Sequence, residues 1–161
     1  MTAKGVSSNE TWGKLQSIMM AEYRAEFRRA PGSVRAARRA ILDYAQLCGF
    51  DPEEVGDISL AAGEALANSV EHGNKSLGRI SVRCRFMDGE LEIEVSDGGP
   101  GFDYTRIIGR RREPDALRGF GISIMHAVMD TVQYEARGAT VRLRKKLDGA
   151  NTADADPPLE A

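Results

Sequence analysis

Glu64-Ala65-Leu66-Ala67-Asn68-Ser69-Val70-Glu71-His72-Gly73, then Asp97-Gly98-Gly99-Pro100-Gly101 and finally Gly119-Phe120-Gly121 are the three stretches that decide how this chain is read. On a helix, Glu64 and Asn68 stand one turn apart and present a carboxylate and an amide along one flank. Two separate glycine runs let main chain approach a ligand where a side chain would clash. In this order and spacing the pieces describe one nucleotide pocket, which none of them describes alone.

The helix that carries the first stretch opens at Asp51-Pro52-Glu53-Glu54, where cap, first-turn proline and acids come in the expected order, and it runs to about Glu71. Ile58, Ala62, Ala65, Leu66 and Ser69 share one face, whereas Glu64, Asn68 and His72 form a line spaced by four, roughly 100° away. Seen alone, such a polar row is a solvated helix flank. The Asp97 loop, seen alone, is a surface turn, since Asp, Gly and Pro are turn residues. A turn does not account for glycines at alternate positions after the acid, nor for a second Gly-x-Gly further on.

Upstream, Tyr23, Ala25 and Phe27 alternate with Arg24, Glu26 and Arg28, the period of a half-buried strand, and Pro31-Gly32 ends it. Ser33 is then expected to cap a helix whose apolar positions Val34, Ala37, Ile41, Leu42 and Ala45 lead to Gly49. Ile80 to Phe86 and Leu91 to Val95 alternate around Asp88-Gly89 as a hairpin, delivering Asp97 at the end of its second strand. Ile122 to Met129 reads as a third helix, and Val132 to Ala136 with Thr140 to Leu147 as a second hairpin around Arg137-Gly138. This order predicts an α/β, two-layer sandwich: a mixed, mostly antiparallel sheet with helices on one face. A doubly wound sheet would need strands and helices to alternate, and the third glycine of its fingerprint is missing after Gly121.

At 161 residues the chain fits one domain, expected at 21–147 between an N-terminal arm at 1–20 and an Ala-, Asp- and Pro-rich tail at 148–161. The 22 basic and 24 acidic residues leave a formal charge of −2, so no global field selects nucleic acid, and no direct nucleic-acid partner is expected. Cys48 and Cys84 form no C-x-x-C pair and are read as buried thiols in a reducing compartment. No segment approaches the roughly 18 apolar residues of a membrane span, and no apolar signal run opens the chain. A cytoplasmic protein without membrane contact is therefore expected.

Over about residues 21 to 147 the chain resembles the ATP-binding domains shared by gyrase, the 90-kDa heat-shock chaperone, histidine kinases and MutL, the GHKL superfamily, whose fold is the Bergerat or histidine-kinase-like ATPase fold. Within it the chain is most similar to the anti-sigma-factor serine/threonine kinases. Glu64 to Gly73 matches the helix motif, and its His-Gly ending is like that branch. Asp97 to Phe102 matches the first glycine box, Arg118 to Met125 the second, and Gly138-Ala139-Thr140-Val141 the closing element.

The resemblance implies ATP and Mg²⁺ as ligands. Asn68 would be the one protein ligand to a cation otherwise held by phosphate and water, as suits Mg²⁺. Asp97 would accept a hydrogen bond from the adenine 6-amino group; guanine offers a carbonyl there, and the mismatch costs on the order of 1 to 3 kcal/mol, so ATP is preferred over GTP. Gly99 and Gly101 would pass close to base and ribose, Gly119 and Gly121 would bring helix N-terminal amides to phosphate, and Thr140 would add a hydroxyl near the adenine. Glu64 would be the catalytic residue, taking a proton from the attacking hydroxyl, a role worth about 10² to 10⁴ in rate. The seventeen residues between Gly101 and Gly119, with Arg110, Arg111, Arg112 and Arg118, correspond to the lid over the nucleotide. The implied partners are a small anti-anti-sigma (STAS-type) antagonist and a sigma factor or other regulator, with a homodimer as the implied assembly. The alternative is a nucleotide-gated module that sequesters its partner without phosphorylating it.

Overall fold

The computed structural model describes residues 21–72, 78–101 and 120–148. The arm, the residues around Asn74, the lid with its four arginines and Gly119, and the tail beyond Asp148 lie outside the described residues.

The chain opens with strand β1 (Tyr23–Arg28), whose residues alternate half-buried and exposed as the sequence period requires. Helix α1 (Pro31–Cys48) follows at once. Its cap is Ala30, extended at φ −141° and without a side-chain hydrogen bond, so Ser33 is not the cap. Proline suits the first helical position because its φ is already helical and its missing N–H would have no acceptor there, so Pro31 starts the helix as well as ending the strand. Ser33 lies within the first turn, its N–H bonded to the Ala30 carbonyl at 3.0 Å. Gly49, left-handed at φ 99°, closes α1.

Helix α2 (Pro52–His72) begins with a reciprocal cap. Asp51 Oδ1 accepts from the N–H groups of Glu53 and Glu54, both at 2.8 Å, and Glu54 Oε2 accepts from Asp51 N–H at 2.8 Å. The other Glu54 oxygen accepts from Asp148 N–H at 3.0 Å, tying the end of the described chain to the start of α2. Strands β2 (Arg79–Met87) and β3 (Glu90–Ser96) turn at Asp88-Gly89, both at positive φ, as a two-residue hairpin demands. Helix α3 (Phe120–Val128) leads into β4 (Thr131–Glu135) and, after a 3-10 turn at Ala136–Gly138, β5 (Thr140–Lys146).

The sheet order is β1-β2-β3-β5-β4. Every pairing among the described residues is antiparallel, so the expected sandwich holds with a sheet that is antiparallel rather than mixed. β3 and β4 do run the same way, but β5 returns between them, and no two parallel strands become neighbours. One sheet face and the three helices enclose the core, in which Ile41, Ile58, Leu66, Ile93, Met125 and Leu143 are fully buried. Helix α2 packs against both α1 and α3 and so forms the middle of the helical layer. Cys48 and Cys84 are free and buried, and burial pushes both thiols up to about 12.

The opposite sheet face carries rows of alternating charge: Arg83 and Arg85 on β2, Glu92 and Glu94 on β3, Arg142 and Arg144 on β5. Arg142 meets Glu94 at 2.8 Å and Arg144 meets Glu92 at 2.9 Å. Period-two alternation places these on one side because Leu91, Ile93, Val95, Val141 and Leu143 fill the core on the other.

Candidate functional site

Helix α2 crosses the sheet where β3 ends and β5 begins. Asp97, the first residue past β3, continues the inward parity of Ile93 and Val95 and points into the helical layer. Its N–H donates to the Ala139 carbonyl at 3.1 Å, fixing the loop before β5 beside it. Only 7% of Asp97 is exposed. From α2, Asn68 at the flank of the buried stripe reaches the same place and lines one cavity with Asp97, Ala65, Ser69, Tyr134 and Ala139. Its volume is about 10 Å³, room for on the order of one water molecule.

Burial pushes the Asp97 carboxyl above its ordinary value. The Gly99 N–H, donating to Oδ1 at 2.7 Å, opposes that rise, as do the nearby Arg29 and His72 side chains through their charge. Arg29 reaches the site from the end of β1 and donates to the Val70 carbonyl in the last turn of α2. The Gly99 N–H thus engages one of the two carboxylate oxygens of Asp97.

The glycines around Asp97 and at the start of α3 do different work. Gly98 at φ 62° and Gly101 at φ 76° need the left-handed conformation, whereas Gly99 holds Asp97 through its N–H. Gly121, in the first turn of α3, lies against Glu64: a Cβ there would overlap Glu64 Oε2 and stand 3.1 Å from its Cδ. Glu64 thus sits between α2 and the N-terminus of α3, whose leading amides have no acceptor within the helix.

Thr140 stands apart from the residues that line this cavity. Its hydroxyl donates to Ser96 Oγ at 2.9 Å, and it pairs with Ser96 in the β3–β5 register. Both therefore belong to the charged outer face, and Thr140 is not among the residues lining the cavity. Ala139 takes that place, with Gly138 and Val141 beside it. The signal was present in the sequence: Val141 and Leu143 are the apolar residues of β5, so the odd-numbered positions face inward. Ser69, read as part of the buried stripe, also proves to be a polar lining residue, 4% exposed.

A larger hollow of about 510 Å³ lies on the outer face among Arg85, Glu90, Glu92, Arg144 and Lys146. It is open, and its charges are already matched with one another, Arg85 meeting Glu92 at 3.2 Å. It therefore offers a ligand little that solvent does not. Among the described residues no group of three or more His, Cys, Asp or Glu could hold a metal by itself. The Asn68 amide, the one carboxamide on the site helix, is a neutral oxygen donor of the kind that suits a hard cation.

Residues 27–145 match the model of the histidine kinase-like ATPase domain. An anti-sigma F factor from Clostridium botulinum (strain Eklund 17B / Type B) is 34% identical over 123 residues, 70% of this chain and 85% of that protein. The serine-protein kinase RsbW of Listeria innocua is 31% identical over 129 residues, 73% of this chain and 82% of that protein. Among solved structures, that of the RsbU and RsbW domains of Rv1364c from Mycobacterium tuberculosis matches with TM-score 0.59 at 20% identity, over 79% of this chain and 32% of that one. A chain of the SiaB-SiaC complex from Pseudomonas aeruginosa matches with TM-score 0.51 at 14% identity, over 86% and 94%. These two likenesses show the shared fold. With a buried acid at the end of β3 and the Glu64–Asn68 helix above it, the chain belongs to the histidine kinase-like ATPase domain family, in its anti-sigma-factor serine kinase branch.

Proposed function

We propose that this chain is an ATP-binding regulator of the anti-sigma type that transfers the γ-phosphoryl group of ATP to a serine or threonine of a small antagonist protein. The observation that carries this reading is the meeting of Asn68 and Asp97 in one cavity while Glu64, one turn before Asn68, reaches the first turn of α3. Asp97 selects adenine by accepting from its 6-amino group. Asn68 contributes an amide oxygen to Mg²⁺, which supplies charge neutralisation of the phosphates when bound. Gly99, Gly101 and Gly121 keep the main chain close to the nucleotide.

In the transfer, the bond between the γ-phosphorus and the bridging oxygen breaks and ADP leaves with that electron pair. The acceptor hydroxyl oxygen forms the new bond to phosphorus, and its proton passes to the Glu64 carboxylate. The relatives named anti-sigma F factor and serine-protein kinase support a sigma factor or other regulator, and a STAS-type antagonist, as alternating partners. The domain of the reading spans 21–147, acts as a homodimer and works in the cytoplasm. No described helix is long and apolar enough to cross a membrane.

The test is transfer of label from γ-labelled Mg-ATP to proteins in a lysate of the source organism, comparing wild type with Glu64→Ala. A small labelled protein that is lost with the variant is the expected result. Confirmed ATP binding without any labelled protein would replace the kinase by a nucleotide-gated sequestering module.

A further inference from the structure

The cavity beside Asp97 is walled mostly by small groups. Ala65 and Ser69 border it from α2, and Gly138 and Ala139 from the turn before β5. Among the described residues that line it, Tyr134 carries the one aromatic side chain. Strand parity brings it there. Tyr134 stands opposite Val141 in the β4–β5 register, and Val141 is buried on the core side of the sheet. The Tyr134 hydroxyl oxygen is shut off from solvent, so the far end of the ring points inward rather than across the open edge of β4.

In the nucleotide reading the adenine 6-amino nitrogen faces Asp97, and any group carried on that nitrogen is directed into the space that Asp97 shares with Tyr134. That space is about 10 Å³, room for on the order of one water molecule. Asp97 cannot police it. An adenine with one substituent on the 6-amino nitrogen keeps one N–H, which is all that a carboxylate oxygen needs to accept a hydrogen bond. Asp97 therefore tests for a donor and leaves bulk untested. Gly138 has no side chain, and Ala65 and Ala139 have one methyl group each, so the residue whose size sets the depth of the cavity is Tyr134.

We propose that Tyr134 is a specificity-determining residue: its ring closes the base pocket behind the adenine amino group and restricts the ligand to an adenine whose 6-amino group is unsubstituted. This inference rests on the nucleotide reading above and adds to it a limit on size that Asp97 does not supply.

The test is calorimetric titration of Mg-ATP and of its 6-benzylamino analogue into wild type, Tyr134→Phe and Tyr134→Ala, read as the ratio of the two affinities in each protein. Wild type and Tyr134→Phe, which keep the ring, should prefer ATP about thirtyfold or more. Tyr134→Ala leaves a hole the size of a phenol ring, which a benzyl group fills, and the ratio should fall to about threefold or less. Tyr134→Val, whose branched side chain suits a strand, carries the same comparison should the alanine variant fail to fold. Equal binding of the two nucleotides by wild type would overturn the proposal whatever the variants do. An undiminished preference in a folded Tyr134→Ala or Tyr134→Val would overturn it as well. A folded variant that bound neither nucleotide would also overturn it, making Tyr134 a support of the pocket rather than its limit. If wild type bound no ATP at all, the nucleotide reading itself would fall, and this inference with it.

Discussion

Gly121 and Glu64 are in van der Waals contact across the α2–α3 seam, the absent side chain of one making room for the carboxylate of the other. A methyl group at residue 121 would meet first the far end of a flexible side chain, which can rotate away. Gly121→Ala should therefore fold, gaining up to about 1 kcal/mol of helix propensity against a similar steric cost. Its melting temperature should move by no more than a few degrees. The displaced carboxylate, however, should slow phosphoryl transfer on the order of 10- to 100-fold. A melting curve beside a label-transfer assay separates the two effects, and an unchanged transfer rate would show that the resting position of Glu64 does not matter to the reaction.

Asp97 combines two opposed demands. Burial raises its carboxyl above the ordinary value, so the folded state holds a proton more readily than the unfolded chain, and ionising it costs stability at neutral pH. Asp97→Asn removes that cost and can still accept the Gly99 N–H. The variant should melt higher than wild type at pH 7, with the difference shrinking as pH falls through the folded-state value and the wild-type group becomes neutral. It should also lose its preference for ATP over GTP, on the order of a tenfold change, because the amide no longer offers only acceptors to the base. Thermal melts across pH and competition between the two nucleotides test both halves.

How far the sequence could be read follows from which signals are local. The capping box at Asp51, the positive-φ turn at Asp88-Gly89 and the alternation of β1 are set by neighbours in sequence, and each appears where the residues predict it. Ser33 failed as a cap because Pro31, two residues earlier, is a stronger start signal. The charged outer face and the arrival of Arg29 near Asp97 depend on which strands become neighbours, and strand order is not a local property. Asn68 and Asp97 could be paired beforehand only because their motifs belong together; no periodicity relates a helix amide to a strand end.

The parity of β5 gives a third test. Thr140 donates to Ser96 on the outer face, whereas Ala139 lines the cavity. Thr140→Val should leave ATP affinity within about twofold and cost about 1 kcal/mol for the lost hydrogen bond. Ala139→Leu, which adds a branched side chain to a cavity with room for about one water, should abolish detectable ATP binding while the secondary structure by circular dichroism stays as in wild type. The opposite pattern would place the hydroxyl at the adenine after all.

Glu92 gathers the arginines of the outer face. Its side chain is 9% exposed, with Arg144 at 2.9 Å, Arg85 at 3.2 Å and Arg83 at 3.8 Å. Burial alone would raise its carboxyl, but the hydrogen bond from Arg144 and the charges of Arg85, Arg144 and Arg142 together outweigh it and hold the group below its ordinary value. A carboxyl lowered by folding contributes stability that is present above its unfolded value and is lost as pH falls through the folded one. Glu92→Gln would leave three guanidinium groups facing one another around a neutral amide. The arginines keep 26–42% of their side-chain surface in water, so solvent screens part of the loss, and a cost of about 1 kcal/mol is expected rather than that of a fully buried pair. That corresponds to a drop of roughly 2 to 4 °C in Tm at pH 7, closing in acid and reduced by salt, with nucleotide affinity unchanged because the sheet separates this lattice from the Asp97 cavity. Equal melting of the two proteins at pH 7 and low salt would mean that the lattice contributes no net stability and serves only to keep the open face polar.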